Sequence, residues 1–426
     1  MDTLKKIFGG DVRQLGMILA LIALVAVFQA ATGGSVLTPT NLMNLMNGNA
    51  YILVLAVGMV LVIIAGHIDL SVGSVAAAVG IVVALAMQDG NVPWPLAILL
   101  GLGLGALIGA WQGFWVAYVG IPAFIVTLAG MLIFRGVNQY IGQSNSVPVP
   151  DGFQVIGAGY LPEVGPDTGY NNLTLLLGLA LCAFIVANEL KVRKQDRAIG
   201  LTPLPMPIVV TRLVLLCGAV LYVTYLFATG RPGTSVPVAA IILGVLVLVY
   251  SFVSSKTILG RHVYAVGGNR HAAELSGVRS KRVNFLVMMN MSVLAALAGM
   301  MFVARSGASG PFDGTGWELD AIAAVFIGGA AVSGGVGTVV GSIVGGLVMA
   351  VLNNGLQLLG VGADAQAIIK GLVLLLAVAV DVWNKTQGRP SIIGHLMKGM
   401  SKPQAAAPST EPASAPAAAT DPKPAA

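Results

Sequence analysis

The most constraining feature of this sequence is a set of long segments without a single Asp, Glu, Lys or Arg. Three of them run from Gln14 to Ile68, from Gly90 to Phe134 and from Ala321 to Ala363. Each is longer than the roughly 20 residues that an α-helix needs to cross a bilayer. Unpaired backbone groups are too costly in lipid, so such segments must form helices. Because only 9% of all residues are charged, against about 25% in soluble domains, the sequence predicts an all-α membrane protein.

Hydropathy divides the chain into a polytopic transmembrane helical bundle of roughly 10 to 12 membrane segments. We predict helices at about Leu15–Ala31, Ala50–Gly66, Ser71–Met87, Trp94–Tyr118, Ile121–Tyr140, Leu173–Glu189, Ile208–Ala228, Val236–Val253, Phe285–Ala304, Ala321–Ser333, Val336–Leu356 and Ala365–Val382. The segments Ser71–Met87 and Ala321–Ser333 are short and flanked by glycine. Each is therefore a candidate half-helix.

Basic residues lie almost entirely on one side of the predicted membrane. The side that we assign to the cytoplasm holds Lys5, Lys6, Arg13, Lys191, Arg193, Lys194, Arg197, Lys256, Arg261, Arg270, Arg279, Lys281, Arg282, Lys385, Arg389, Lys398, Lys402 and Lys423. The other side keeps Arg231 and Arg305, and its long loop Ile141–Asn172 has no Lys or Arg. Lys and Arg concentrate in cytoplasmic loops, so both termini are predicted to be cytoplasmic in a multi-pass membrane protein.

This topology gives the predicted domain organisation. Residues 1–14 form a cytoplasmic segment, and residues 15–384 form the membrane domain, with a cytoplasmic loop at 254–283. Residues 385–426 form a Pro/Ala-rich tail, which we expect to be disordered because it cannot bury apolar area. We expect the first apolar segment to be retained as a span. The net charge of +6 does not indicate a nucleic-acid partner, because the basic residues are those that set topology.

Enzyme motifs are missing from the sequence. No Gly-Lys pair is followed by Ser or Thr, as a phosphate-binding loop for ATP would require. There is no metalloprotease or hydrolase motif either. Cys182 and Cys217 fall inside predicted spans and are interpreted as buried apolar residues. His67 alone is more typical of a structural residue than of a metal ligand. We therefore predict a chain that is not an enzyme and binds no metal.

Polar residues within or beside the spans are candidates for a transport pathway, because they are expensive to bury in lipid. Asp69 and Ser71 lie between two spans, where they could instead cap the next helix. The other candidates are Phe124, Thr127, Arg135, Gln139, Asn353 and Asn354. Neutral amides and hydroxyls would suit a polar, uncharged solute. Ordinary helix–helix hydrogen bonds use the same residue types.

Further polar groups and a glycine pattern leave alternatives open. Glu318 and Asp320 form another polar group, and Lys370 has no partner that the sequence identifies. Gly101, Gly105 and Gly109 recur every four residues, as do Gly337, Gly341 and Gly345. This spacing lets helices approach closely. It fits a pathway or dimer seam as well as packing within one subunit.

The cytoplasmic loop Ser254–Val283 is predicted to contain a short helix. Asn269 can cap the start of this helix, and Gly277 can end it. The helix could insert into a soluble partner. Its basic flanks also suit an interfacial helix lying on lipid, which spacing alone favours.

The chain contains GMVLVIIAGHIDLSVGS (Gly58–Ser74), IPAFIVTLAGMLIFRG (Ile121–Gly136), GRHVYAVGGNRHAAELSGV (Gly260–Val278), ELDAIAAVFIGGAAVSGGVGTVVG (Glu318–Gly341) and NNGL (Asn353–Leu356). In these stretches and their order it resembles the permease subunits of bacterial ABC sugar importers of the ribose, xylose and multiple-monosaccharide type. The resemblance runs from about Leu15 to Trp383 and looks strongest to the xylose and multiple-sugar branch.

This resemblance implies a homodimer that moves monosaccharides from periplasm to cytoplasm by alternating access. It also implies a separate cytoplasmic ATPase, which holds ATP and Mg²⁺, and a periplasmic sugar-binding protein. The permease itself would bind no cofactor. The cytoplasmic loop would be the element that docks in the ATPase, which overrides the interfacial interpretation. Its candidate coupling residues are Arg261, Tyr264, Gly267, Gly268, Asn269, Glu274 and Gly277.

Two other transporter classes remain alternatives. A branched-chain amino-acid ABC permease shares the general architecture, but the sugar-type stretches argue against it. An ion-coupled secondary sugar transporter would need buried acidic residues. Asp69 and Asp320 are the candidates, and both are predicted near helix ends.

Overall fold

The computed structural model of the protein describes residues 12–201, 205–230 and 235–386. Its helices are α1 Val12–Ala31, α2 Pro39–Ile64, α3 Val72–Gln88, α4 Trp94–Phe114, α5 Ala123–Ile141, α6 Asp151–Ala158, α7 Asn172–Ala198, α8 Met206–Ala228, α9 Val238–Lys256, α10 Ile258–Gly268, α11 Arg270–Leu275, α12 Ser280–Ser306, α13 Trp317–Ile327, α14 Val339–Leu358 and α15 Ala363–Thr386. Helix α4 continues into a π turn at Trp115–Val119. Strands β1 Val147–Pro148 and β2 Ala308–Ser309 pair antiparallel.

The all-α, polytopic architecture is confirmed. Within the described ranges, eight helices are long and apolar enough to cross a membrane, and residues 16–31 and α3 are shorter apolar helices. Both candidate half-helices are short. However, α13 begins four residues before the predicted start, Ala321, and ends six residues before the predicted end, Ser333. The predicted tail from residue 387 and the segment before residue 12 lie outside the described residues, so the domain division remains a prediction.

Two predicted helix ends are wrong for opposite reasons. Helix α2 begins at Pro39, eleven residues before the predicted Ala50, because its asparagines do not interrupt it. Asn41 and Asn47 are buried and donate to Val36 O and the Tyr160 hydroxyl at 2.9 and 3.0 Å. Helix α7 continues nine residues beyond the predicted Glu189, because a helix can continue as a charged segment after its apolar span.

The core is built around α2 and α12. Every residue of α2 from Ile52 to Ile64 is buried, and α12 packs against α2, α3, α4 and α6. By contrast, α7 and α8 pack mainly on each other and expose most of their Leu, Val and Tyr side chains. This α7–α8 hairpin therefore presents a lipid-facing surface at the periphery of the subunit.

The α4 glycines pack within the subunit. A Cβ added at Gly101 would lie 2.6 Å from Met300 Sδ, and at Gly105 it would lie 2.6 Å from Ala296 Cβ. At Gly109 it would lie 2.7 Å from Met289 Cα. All three contacts are with α12, so the every-fourth-residue spacing brings α4 and α12 together. Of the alternatives for this stripe, the structure supports packing within one subunit.

Candidate functional site

A buried polar cluster lies where α3 begins. The Ser71 N–H and hydroxyl donate to Asp69 Oδ1 at 2.8 and 2.6 Å, and Gln112 Nε2 of α4 donates to Ser71 Oγ at 2.8 Å. Asp69, Ser71 and Gln112 are each at most 1% exposed. We call these three residues the Asp69 cluster. Its hydrogen bonds offset the cost of burying polar groups away from water.

The chain forms this cluster because residues 65–71 are not helical. Ser71 occupies the N-cap position of α3, but its side chain makes no capping bond to that helix. The capping alternative is therefore wrong for Ser71, while Asp69 accepts the N–H of the N-cap residue itself. Asp69 Oδ2 is buried and has no hydrogen-bond partner among the described residues. One carboxylate oxygen of Asp69 thus accepts no hydrogen bond from the described residues at the start of α3.

Gln112 was missed by the sequence prediction. It is the only amide side chain between Trp94 and Tyr118, and this was the available signal. The neighbouring Gly130 of α5 makes room for it, since a Cβ there would lie 2.6 Å from Gln112 Nε2 and 3.4 Å from Ser71 Cβ. Helix α5 therefore approaches the cluster closely only because this position lacks a side chain.

The four α5 residues predicted for the pathway divide between two faces. Thr127 is buried, and its hydroxyl lies 3.4 Å from Ile68 O. Phe124 is 55% exposed, and Arg135 and Gln139 are half-buried. The structure thus brings Thr127 towards the Asp69 cluster, places Phe124 on an open face of α5 and leaves Arg135 and Gln139 at the edge of that face. That open face is available to lipid, to solute or to a second subunit.

A cavity of about 420 Å³ lies at the cytoplasmic side of these elements. Its wall includes His67, Phe124, Arg270, Lys281 and Asn284, together with the turn that joins α4 to α5. The His67 Nε2 and Asn284 Oδ1 atoms are buried in this wall, and the Asn284 side chain interacts with the His67 ring. The lining residues present basic and neutral polar groups and no carboxylate.

The two acidic residues at the start of α13 have different environments. Lys370 Nζ lies 3.3 Å from Asp320 Oδ2, which supplies the partner that the sequence could not identify. Glu318 is 6% exposed and its Oε2 has no hydrogen-bond partner among the described residues. This oxygen lies 2.8 Å from the position of a Cβ at Gly73, and the charge of Arg135 acts on it. Glu318 therefore packs the start of α13 against Gly73 of α3.

The structure places Asn353 and Asn354 with a second apolar core rather than with the Asp69 cluster. Asn354 and Asn41 exchange hydrogen bonds of 2.8 and 2.9 Å. Neighbouring apolar residues of α2 and α14, including Leu45 and Leu352, form this second core. The Asn354 amide is thus engaged in joining two helices. Asn353 Oδ1 is buried and unpartnered among the described residues.

The short cytoplasmic helix is confirmed as α11. Asn269 Oδ1 accepts the Ala272 N–H at 3.0 Å, and Gly277 follows the helix with φ +85°. Glu274 accepts a hydrogen bond from Ser280 Oγ and pairs with Arg270 at 3.0 Å. The Ser280 hydroxyl, followed by Arg270, lowers the pKa of Glu274 below its usual value. These contacts tie α11 to the start of α12.

The seven candidate coupling residues point in different directions. Arg261, Gly268, Asn269, Glu274 and Gly277 are exposed. In contrast, Tyr264 and Gly267 are half-buried and face the membrane domain. The Tyr264 hydroxyl donates to Gly337 O at 2.6 Å. The exposed residues are available to a soluble partner, whereas these two contact the subunit's own interior.

No cluster of three or more His, Cys, Asp or Glu residues suited to a metal ion occurs in the described ranges. Cys182 and Cys217 are free thiols in the α7–α8 hairpin, with Cys182 Sγ 3.8 Å from Cys217 O. They do not form a disulfide.

The fold and the site define a multi-pass membrane permease. Residues 41–378 match the family described as branched-chain amino acid transport system / permease component, and the chain belongs to this family. It is a multi-pass protein of the bacterial inner membrane.

Several curated relatives are similar along most of their length. The xylose transport system permease protein of Haemophilus influenzae is 39% identical over 373 residues, which cover 87% of this chain and 96% of the relative. The Escherichia coli K12 xylose permease is 41% identical over 366 residues, covering 86% and 90%. The E. coli K12 ribose import permease protein is 35% identical over 370 residues, covering 87% and 93%. No solved structure is a significant match to the chain.

Proposed function

We propose that this chain is the permease subunit of an ATP-driven importer that moves monosaccharides, with xylose as the first candidate, from periplasm to cytoplasm. The observation that carries the proposal is the 39–41% identity to xylose permeases over 86–87% of the chain. Identity to the ribose permease is 35%. The sequence resemblance and these relatives agree on sugar as the class of substrate.

The chemistry of the site supports a neutral, hydroxyl-rich solute. Ser71, Gln112 and Thr127 place buried hydroxyl and amide groups against α5, where a conformational change of the transport cycle would expose them to a solute. Sugar hydroxyls both donate and accept hydrogen bonds, so they match such groups. We expect the solute to pass along the open α5 face and leave through the cytoplasmic cavity. Binding there must be weak enough for release to follow entry.

The proposal includes partners that the chain itself does not contain. A separate ATPase would hold ATP and Mg²⁺ and dock on the exposed residues of α10 and α11, among them Arg261 and Glu274. A second copy would meet the open α5 face, and a periplasmic sugar-binding protein would contact the outer loops. ATP binding to the ATPase would favour one of two permease conformations, because ATP has different affinities for them.

The proposal is tested by reconstituting the chain with its cognate ATPase and binding protein in proteoliposomes. Uptake of labelled xylose, glucose, arabinose and ribose is measured with ATP, without ATP and without the binding protein. We expect sugar uptake that requires both, and Glu274→Ala should reduce it because the mutation disturbs α11. Uptake that persists without the ATPase and collapses with an ionophore would refute the proposal. Asp69 would then be the first residue to test, since Asp320 is already paired with Lys370.

A branched-chain amino acid is the second candidate substrate, because the matching family is described by that transport system. Labelled leucine is therefore included in the same assay. ATP-dependent uptake of leucine without uptake of any sugar would retain the importer class and replace the substrate.

A further inference from the structure

Three short backbone segments meet on the cytoplasmic side of the subunit. They are Ile64–Gly66 at the end of α2, Gly267–Gly268 at the end of α10, and Gly334–Gly335 in the loop between α13 and α14. We call this contact the glycine junction. The Gly335 N–H donates to Ile64 O at 2.8 Å, so the loop is bonded directly to α2.

The glycine junction leaves no room for a side chain at Gly267 or Gly335. A Cβ at Gly267 would lie 1.6 Å from Ile64 O, and at Gly335 it would lie 2.7 Å from Gly268 Cα. Gly334 and Gly335 also have φ of +77° and +72°, a region that suits glycine. Three backbones are thus in direct contact. Close-packed contacts of this kind transmit strain, because protein interiors have low compressibility.

Tyr264 holds the same loop through a hydrogen bond. Its half-buried hydroxyl, on α10, donates to Gly337 O at 2.6 Å. The glycine junction resists movement of α10 towards the loop, while this hydrogen bond resists movement away from it. Displacement of α10 in either direction is therefore passed to residues 328–338.

The loop continues directly from α13, which reaches the pathway. Asp320 of α13 pairs with Lys370 of α15. Glu318 lies beside Gly73, two residues after Ser71, and is influenced by Arg135 of α5. One short helix thus connects the glycine junction with the region of the Asp69 cluster.

We propose that Tyr264 is a positioning residue that couples α10 to α13, so that displacement of the coupling helices moves the pathway side chains. This role rests on the proposed ATP-driven function. It differs from the expected one, because Tyr264 acts inside the permease and not on the surface of the ATPase.

The test is Tyr264→Phe, which removes the hydroxyl and keeps the ring. Sugar uptake and ATP hydrolysis are measured in the same proteoliposomes that contain permease, ATPase and binding protein. We expect hydrolysis to stay within about twofold of wild type, while sugar transported per ATP falls about fivefold or more. Tyr250→Phe is the matched control. Tyr250 is also half-buried, and its hydroxyl joins α9 to Asn290 of α12, outside the glycine junction.

A second measurement follows hydrogen exchange in the peptide that covers residues 328–338. We expect faster exchange in Tyr264→Phe than in wild type or Tyr250→Phe, because the loop has lost its bond to α10. Unchanged exchange would overturn the proposal. So would an unchanged ratio of transport to hydrolysis, or a parallel loss of both together with weaker co-purification of the ATPase. If wild type itself shows no ATP-dependent uptake, the proposed function fails, and exchange still decides whether Tyr264 holds the loop.

Discussion

Replacing Gly130 with alanine would press a methyl group into the Asp69 cluster. The new Cβ would lie 2.6 Å from Gln112 Nε2, whereas ordinary contacts begin at 3.4 Å. Gln112 is fully buried and lies between α5 and Ser71. Moving its amide aside by the missing 0.8 Å (3.4 minus 2.6) would lengthen its 2.8 Å bond to Ser71 to at most about 3.6 Å, a separation at which the hydrogen bond is lost.

The cost of this change follows from hydrogen bonds measured within membranes. Such bonds contribute about 0.6 kcal/mol on average and up to about 1.7. A factor of ten in rate corresponds to about 1.4 kcal/mol. If the whole loss appeared in the activation free energy of transport, uptake would slow by about threefold to sixteenfold. The lower end applies if α5 itself moves and shares the strain.

The assay is the initial rate of ATP-dependent sugar uptake in proteoliposomes that contain equal amounts of folded protein. Gly103→Ala is the matched control, because a Cβ at Gly103 would have no atom within 4 Å. In a Gln112→Ala background, Gly130→Ala should have little further effect, because the group that the methyl displaces is gone. The reasoning is refuted if Gly130→Ala transports as fast as Gly103→Ala, or if its effect is undiminished in the double variant.

Three further predictions concern packing, charge and pH. Gly109→Ala should lower the thermal unfolding midpoint of the purified permease by several degrees relative to the Gly103 control, because overpacking costs about 1–3 kcal/mol; equal midpoints would contradict the packing of α4 on α12. Lys370→Ala should lower the thermal unfolding midpoint more than Lys370→Ala combined with Asp320→Ala, because the single change leaves the Asp320 carboxylate unpaired. A midpoint of the double variant at or below that of the single variant would contradict this. The Ser280 hydroxyl lowers the pKa of Glu274. The hydrogen bond between them should therefore be fully present at every pH above the usual carboxyl pKa, and it should be lost only as the pH falls through the lowered pKa. Protection factors of the α11 amides, which remove the intrinsic pH dependence of exchange, should show this loss from pH 7 downward, and Glu274→Gln should abolish it.

The helical membrane architecture was predictable from the sequence, because the long segments without charged residues can cross a bilayer only as helices. It did not predict where α2 begins, since the partners of Asn41 and Asn47 lie elsewhere in the chain. For the same reason it could not pair Lys370 with Asp320, which are 50 residues apart.

The candidate site was predictable to the extent that polar residues mark it. Asp69, Ser71 and Thr127 were identified because they stand out within apolar segments. Gln112 was missed, although its hydrogen bond completes the cluster. The inward direction of Tyr264 depends on α10 and the loop 328–338 folding together, which helix periodicity within the cytoplasmic loop does not specify.

The peripheral position of the α7–α8 hairpin has a practical consequence for spectroscopy. The chain's only two thiols, Cys182 and Cys217, both lie in this hairpin and away from the Asp69 cluster. Serine at both positions would give a cysteine-free chain with the pathway side chains untouched. Single cysteines returned to α10 and α13 could then carry spin labels, and the separation of the two helices could be followed through the nucleotide cycle.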